Sequence, residues 1–97
     1  MKINPLPIEQ TKQGWRVLFP DNRFQDVNNE QDAKIIASFP ILERQVESAT
    51  RYDSFLYKEL QTMTETRNRY SMNTAYVEVL SRQIESLPKE EDSVWQD

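Results

Sequence analysis

Apolar residues recur at heptad spacing through the second half of the chain: Leu42, Ala49, Leu56, Met63, Tyr70, Val77 and Ile84. No glycine or proline falls between Ile41 and Leu87. That combination predicts helix over 41–87. The companion positions are Val46, Asp53, Leu60, Arg67, Thr74 and Ser81, apolar only at Val46 and Leu60, so the seam is half that of a regular coiled coil. After Tyr70 the apolar face drifts to Met72, Tyr76, Leu80, Ile84 and Leu87, as when a helix breaks and restarts. The stretch 64–74 is rich in Thr, Asn and Ser, mediocre helix formers, and Ser71 or Asn73 can cap a new helix. Two architectures fit: an antiparallel helical hairpin broken at 67–73, or one continuous helix of about 70 Å at 1.5 Å per residue, which would need a partner along its length.

Upstream the pattern is different. Trp15–Phe19 and Arg23–Val27 are β-prone runs around Pro20-Asp21-Asn22, a turn in which Asn22 tolerates positive φ. The implied register closes Phe19 against Arg23 and pairs Leu18 with Phe24, Arg16 with Asp26 and Trp15 with Val27. One face then carries Leu18, Phe24 and an Arg16–Asp26 ion pair. The other carries Trp15, Val17, Phe19 and Val27 and is expected to pack on helix, with Trp15 buried. Asn28 or Asn29 can cap a helix over 30–39, with Gln31 or Asp32 as capping-box partner and Pro40 ending it. Residues 1–12, with Pro5 and Pro7, read as an extended arm. Residues 88–97, which open with Pro88 and turn acidic before Val94 and Trp95, read as a disordered tail. The expected fold is therefore α+β: an N-terminal β-hairpin over 14–27, a short helix, then a long helix or an antiparallel helical hairpin, in a single domain over 13–87.

Composition narrows the function. The chain has 97 residues, of which 37% are hydrophobic and 29% charged. That leaves a thin core, or one completed by a second copy or another protein. Histidine and cysteine are absent, which removes the commonest general base, the usual transition-metal ligands and the thiol nucleophile. One glycine cannot build a phosphate-cradling loop. The serines sit in no nucleophile motif, and carboxylate pairs such as Glu43/Glu47 read as a solvated helix face. No catalytic, cofactor-binding or metal-binding residue is assigned. The N-terminus has no signal-peptide pattern and no run is long enough to span a membrane. With no cysteine, the expected setting is the cytoplasm, bacterial or phage-borne.

A net charge of −4 weighs against general nucleic-acid binding. Tyr52, Phe55 and Tyr57 lie beside Arg51 and Lys58, an arrangement that suits base stacking but suits helix packing better. Arg67 and Arg69 form the one basic knot and are the candidate phosphate contacts. The stretch 14–37 resembles the strand–turn–strand–helix units of several small modules, including the N-terminal arm-site-binding domains of phage-type integrases. Those domains usually have three strands and a basic surface. Two predicted strands and Asp21, Asp26, Glu30 and Asp32 around the turn depart from that pattern, so DNA binding is not carried over.

The sequence thus predicts a small non-enzymatic adaptor or regulator acting through protein–protein contacts along its helical face, as a homodimer or with a protein partner. The candidate partner-binding residues are Leu56, Leu60, Met63, Tyr70 and Val77, with Val94 and Trp95 as a linear motif. The alternative is a nucleic-acid-associated regulator contacting phosphate through the hairpin or the Arg67/Arg69 knot. No small-molecule substrate and no membrane are implied.

Overall fold

The computed structural model describes residues 2–89. It is an α+β fold: a three-stranded antiparallel sheet followed by helices. The strands are β1 (Ile8–Thr11), β2 (Gly14–Leu18) and β3 (Phe24–Val27), in the order β1-β2-β3. The helices are α1 (Glu30–Ala37), α2 (Phe39–Ser48), α3 (Ser54–Arg69) and α4 (Ala75–Glu85).

The β2–β3 hairpin has the register its side-chain pattern implied: Trp15 faces Val27, Arg16 faces Asp26 and Leu18 faces Phe24. Asn22 takes the left-handed position (φ 68°), and the Phe19 amide closes the loop on the Arg23 carbonyl at 2.9 Å. Val17 and Val27 are buried against α1, whereas Trp15, expected to be buried, is only half-buried at the margin of that contact.

The expected extended arm is corrected. Ile8–Thr11 forms β1, with Ile8 opposite Val17 and Thr11 opposite Gly14. Both prolines precede the strand, where a missing N–H costs no ladder bond. The Leu6 amide bonds to the Ala37 carbonyl (2.8 Å), and the Leu18 amide to the Pro7 carbonyl (2.9 Å).

The expected helix over 30–39 is also corrected: it bends rather than ends. Asn29 caps α1, its side chain accepting from the Asp32 amide at 2.8 Å. At Ser38 the chain turns, its hydroxyl donating to the Ile35 carbonyl at 2.6 Å. Pro40 then sits in the first turn of α2, where a proline fits best, so helix resumes immediately.

Of the two architectures predicted for 41–87, the continuous helix is excluded and a helical hairpin is present. The connection falls at residues 70–74. The Met72 amide reaches back to the Arg67 carbonyl and the Ser71 amide to the Asn68 carbonyl, with Ser71 left-handed (φ 57°). This is a Schellman C-cap with serine where glycine is usual. Asn73 then accepts from the Ala75 amide at 2.8 Å and starts α4. The antiparallel pairing of α3 with α4 shows in the contacts Gln61–Ser81 and Tyr57–Glu85. A second break, at 49–53, has no glycine or proline behind it. Asp53 caps α3 there, accepting from the Leu56 amide at 3.0 Å.

Two hydrophobic clusters result. Leu42, Val46, Leu56, Leu60, Met63, Val77, Leu80 and Ile84 form the interior of α2, α3 and α4. Val17, Val27, Ala33, Ile36 and Ala37 join the sheet to α1, with Tyr70 and Met72 packed against them. No helix among the described residues is long and apolar enough to cross a membrane.

Candidate functional site

The residues assigned to a partner-binding helical face lie in the chain's own interior. Leu56, Leu60, Met63 and Val77 are buried between α2, α3 and α4. The heptad spacing that suggested an intermolecular seam reflects a helix folding back on its neighbours: once the chain breaks at 49–53 and 70–74, the stripe closes on itself. Val94 and Trp95 lie outside the described residues.

Of the two arginines assigned to phosphate contacts, Arg69 has its charge met by an internal carboxylate. Arg69 pairs with Asp32, Nη2 to Oδ1 at 2.7 Å. The Tyr70 hydroxyl donates to the other Asp32 oxygen and accepts from the Asn28 amide at 3.0 Å. Asp32 itself is 6% exposed. Burial alone would raise its pKa; the hydrogen bonds from Tyr70 and Arg69 outweigh that and hold it below the ordinary 3.8. These residues form a polar latch that ties the β3–α1 junction to the end of α3.

Arg67 is different. It rises from the last turn of α3, where it donates from Nη1 to the Asn73 carbonyl (3.0 Å) and lies over the Phe39 ring at 4.7 Å. Its Nε–H is buried with no hydrogen-bond partner. Among the described residues no carboxylate pairs with it. Burial lowers its pKa, as a desolvated cation without a counter-charge requires.

The Arg67 guanidinium lines a groove of about 650 Å³ between the hairpin turn, the α1–α2 bend and the α3–α4 connection. Phe19, Pro20 and Phe24 form its hairpin wall; Phe39, Pro40 and Met72 form the helical wall. Tyr76 packs edge-on against Phe39 at 5.8 Å. The Glu43 carboxylate, the one acidic side chain lining the groove among the described residues, raises the pKa of the Tyr76 phenol. Arg23, on the opposite rim, is paired with Asp21 at 2.6 Å. Phe24 is 52% exposed, with the Arg16 guanidinium 4.0 Å above its ring. The sequence placed Phe24 on the outer face of the hairpin but gave no sign that this face borders a groove. A solvent-facing phenylalanine beside a tight turn was the available signal.

The Tyr52/Phe55/Tyr57 group does not form a stacking platform. Tyr52 and Tyr57 lie against the helical cluster with ring centroids 6.1 Å apart, and Phe55 alone is exposed, at 71%. No group of His, Asp, Glu or Cys suited to a metal ion occurs among the described residues. Compared with known proteins, the chain matches no family model, no curated protein and no solved structure.

Proposed function

We propose that this chain is a small non-enzymatic protein-interaction module, adaptor or regulator, which takes an apolar, carboxylate-bearing segment of a protein partner into the groove between hairpin and helices. One observation carries this: the groove wall is aromatic and aliphatic, and it holds a partly buried guanidinium with no carboxylate paired to it among the described residues. Apolar side chains of a ligand would cover Phe24, Phe39 and Met72, and its carboxylate would supply the counter-charge that Arg67 lacks. The groove replaces the helical stripe as the interaction surface. A cytoplasmic setting accords with a cysteine-free chain.

A nucleic-acid role is the second reading, favoured by the third strand, which removes one departure from the integrase arm-domain pattern. It has less support, because Glu9 and Asp26 flank Arg16 on the sheet's open face and Arg69 is committed to Asp32.

The test is selection from a displayed library of random peptides, followed by titration of selected peptides with backbone resonances observed. Selected sequences should combine an aromatic residue with a carboxylate and perturb Phe24, Phe39 and Met72. Their affinity should fall about tenfold or more in Phe24→Asp. Peptides indifferent to that substitution would defeat the proposal. Affinity falling steeply with salt for oligonucleotides, and none for peptides, would favour the second reading.

A further inference from the structure

Resting on that groove, we infer its occupant: residues 90–97 of a second copy of this chain. That segment lies outside the described residues, and its sequence supplies both features the groove asks for. Glu90, Glu91 and Asp92 are carboxylates in succession, and Val94 and Trp95 follow at once. The complementarity is one of charge as well as polarity. The chain is acidic overall at −4, yet the groove holds a partly buried guanidinium whose Nε–H has no partner and to which no carboxylate is paired among the described residues.

Geometry decides between the chain's own segment and that of a second copy. The Tyr52 amide holds the Pro88 carbonyl at 2.8 Å, and the Lys89 ammonium sits 5.1 Å above the Tyr52 ring. The segment therefore leaves beside the start of α3, while Arg67 and the groove lie at its other end. Tyr52 lies two residues before α3, and from Ser54 to Arg67 the helix runs thirteen residues, about 20 Å at 1.5 Å per residue. From Lys89 to Trp95 the chain spans only about 20 Å when fully extended, and it would have to travel around the helices rather than straight. A second copy meets no such limit. Each copy carries one groove and one segment, so two copies can exchange segments reciprocally about a two-fold axis and close the assembly.

Sedimentation equilibrium of the full chain tests this. The expected result is reversible self-association that weakens about tenfold or more in Trp95→Ala and in Phe24→Asp, and weakens with added salt. Phe24 is half-exposed, so its replacement should leave the fold intact; Arg67→Met is a second groove variant. Mixing Trp95→Ala with Phe24→Asp should restore a one-to-one pair, since one copy keeps its groove and the other its segment. A wild-type chain that stays monomeric at all concentrations overturns the inference. A synthetic peptide of residues 88–97, titrated into full-length Trp95→Ala, separates the two levels. If it perturbs groove resonances while the wild type is monomeric, the groove stands as a peptide site and the second-copy assignment falls. If it perturbs nothing, this occupant is wrong, and the library selection alone decides whether the groove binds peptides.

Discussion

The helical cluster and the sheet cluster are held together differently. Between α2, α3 and α4 the interior is built of large side chains, Leu60, Met63, Leu80 and Ile84 among them, each at most 1% exposed. Burial of such residues stabilises by about 1.5–3 kcal/mol apiece relative to exposure. The sheet meets α1 through smaller residues, Val17, Val27, Ala33 and Ala37, with Ile36 the one large member. What it lacks in apolar area it makes up with directional contacts: a close-fitting turn, a capped helix and the Asp32–Arg69–Tyr70 latch. The helical part depends on volume, and the sheet part on geometry. The groove lies where the two meet, lined by residues packed on each.

The largest effect should come from removing volume in the helical part. Leu60→Ala is expected to cost about 3–5 kcal/mol in urea denaturation, because Leu60 is fully enclosed and the cavity cannot collapse. A cost under about 1 kcal/mol would mean that the helical cluster does not carry the stability assigned to it.

Breaking the latch should come next. Asp32→Ala leaves Arg69 and the Tyr70 hydroxyl without their acceptor and removes the side chain that answers Asn29 at the start of α1. The expected loss is about 2 kcal/mol, below that of a fully buried pair because Arg69 is half-exposed. Hydrogen exchange should show the sheet amides losing protection before those of α3. The same latch sets a pH dependence. The folded pKa of Asp32 lies below 3.8, so the folded state binds this proton less readily than the unfolded state. The contribution is present above the unfolded pKa and is lost as pH falls through the folded value. Wild type should therefore lose stability more steeply than Asp32→Asn in strongly acidic solution. Parallel curves would show the pair to be energetically silent.

A backbone contact in the sheet part should follow. Gly14 has φ 154°, and a Cβ there would lie 2.5 Å from the Val27 carbonyl oxygen. Gly14→Ala is expected to cost about 1–3 kcal/mol and to shift Trp15 fluorescence, read in a Trp95→Phe background. An unchanged melting temperature would show that β2 and β3 do not need so close an approach.

The smallest effect is expected at Arg67. Its guanidinium lacks a counter-charge, so replacing it removes a desolvation cost along with the Phe39 and Asn73 contacts. Arg67→Met should leave stability within about 1 kcal/mol of wild type while weakening any ligand of the groove. A large loss of stability would make Arg67 a structural residue and weaken the case for the groove.

Local chemistry in the sequence determined the hairpin. Its turn, register and inward face follow from Asn22 and from alternation over 15–19 and 23–27, because period-two patterning and turn geometry act over a few residues. The Asn29 cap and the end of α3 near residue 70 were legible for the same reason. β1 was not: Ile8–Thr11 alternates too little to announce a strand and becomes one by pairing with β2. The break at 49–53 was hidden as well, since Asp53 reads equally as a helix-surface carboxylate until α3 packs on α2. Whether the heptad stripe faced a partner or the chain itself could not be settled by spacing, because both bury the same residues at the same period. Tertiary structure decided that, and it decided the fate of the two arginines. Arg67 and Arg69 stand two residues apart on one helix, yet the fold sends one to a buried carboxylate and the other to an aromatic groove. Only the placement of Asp32 and Phe39, distant in sequence, makes them different.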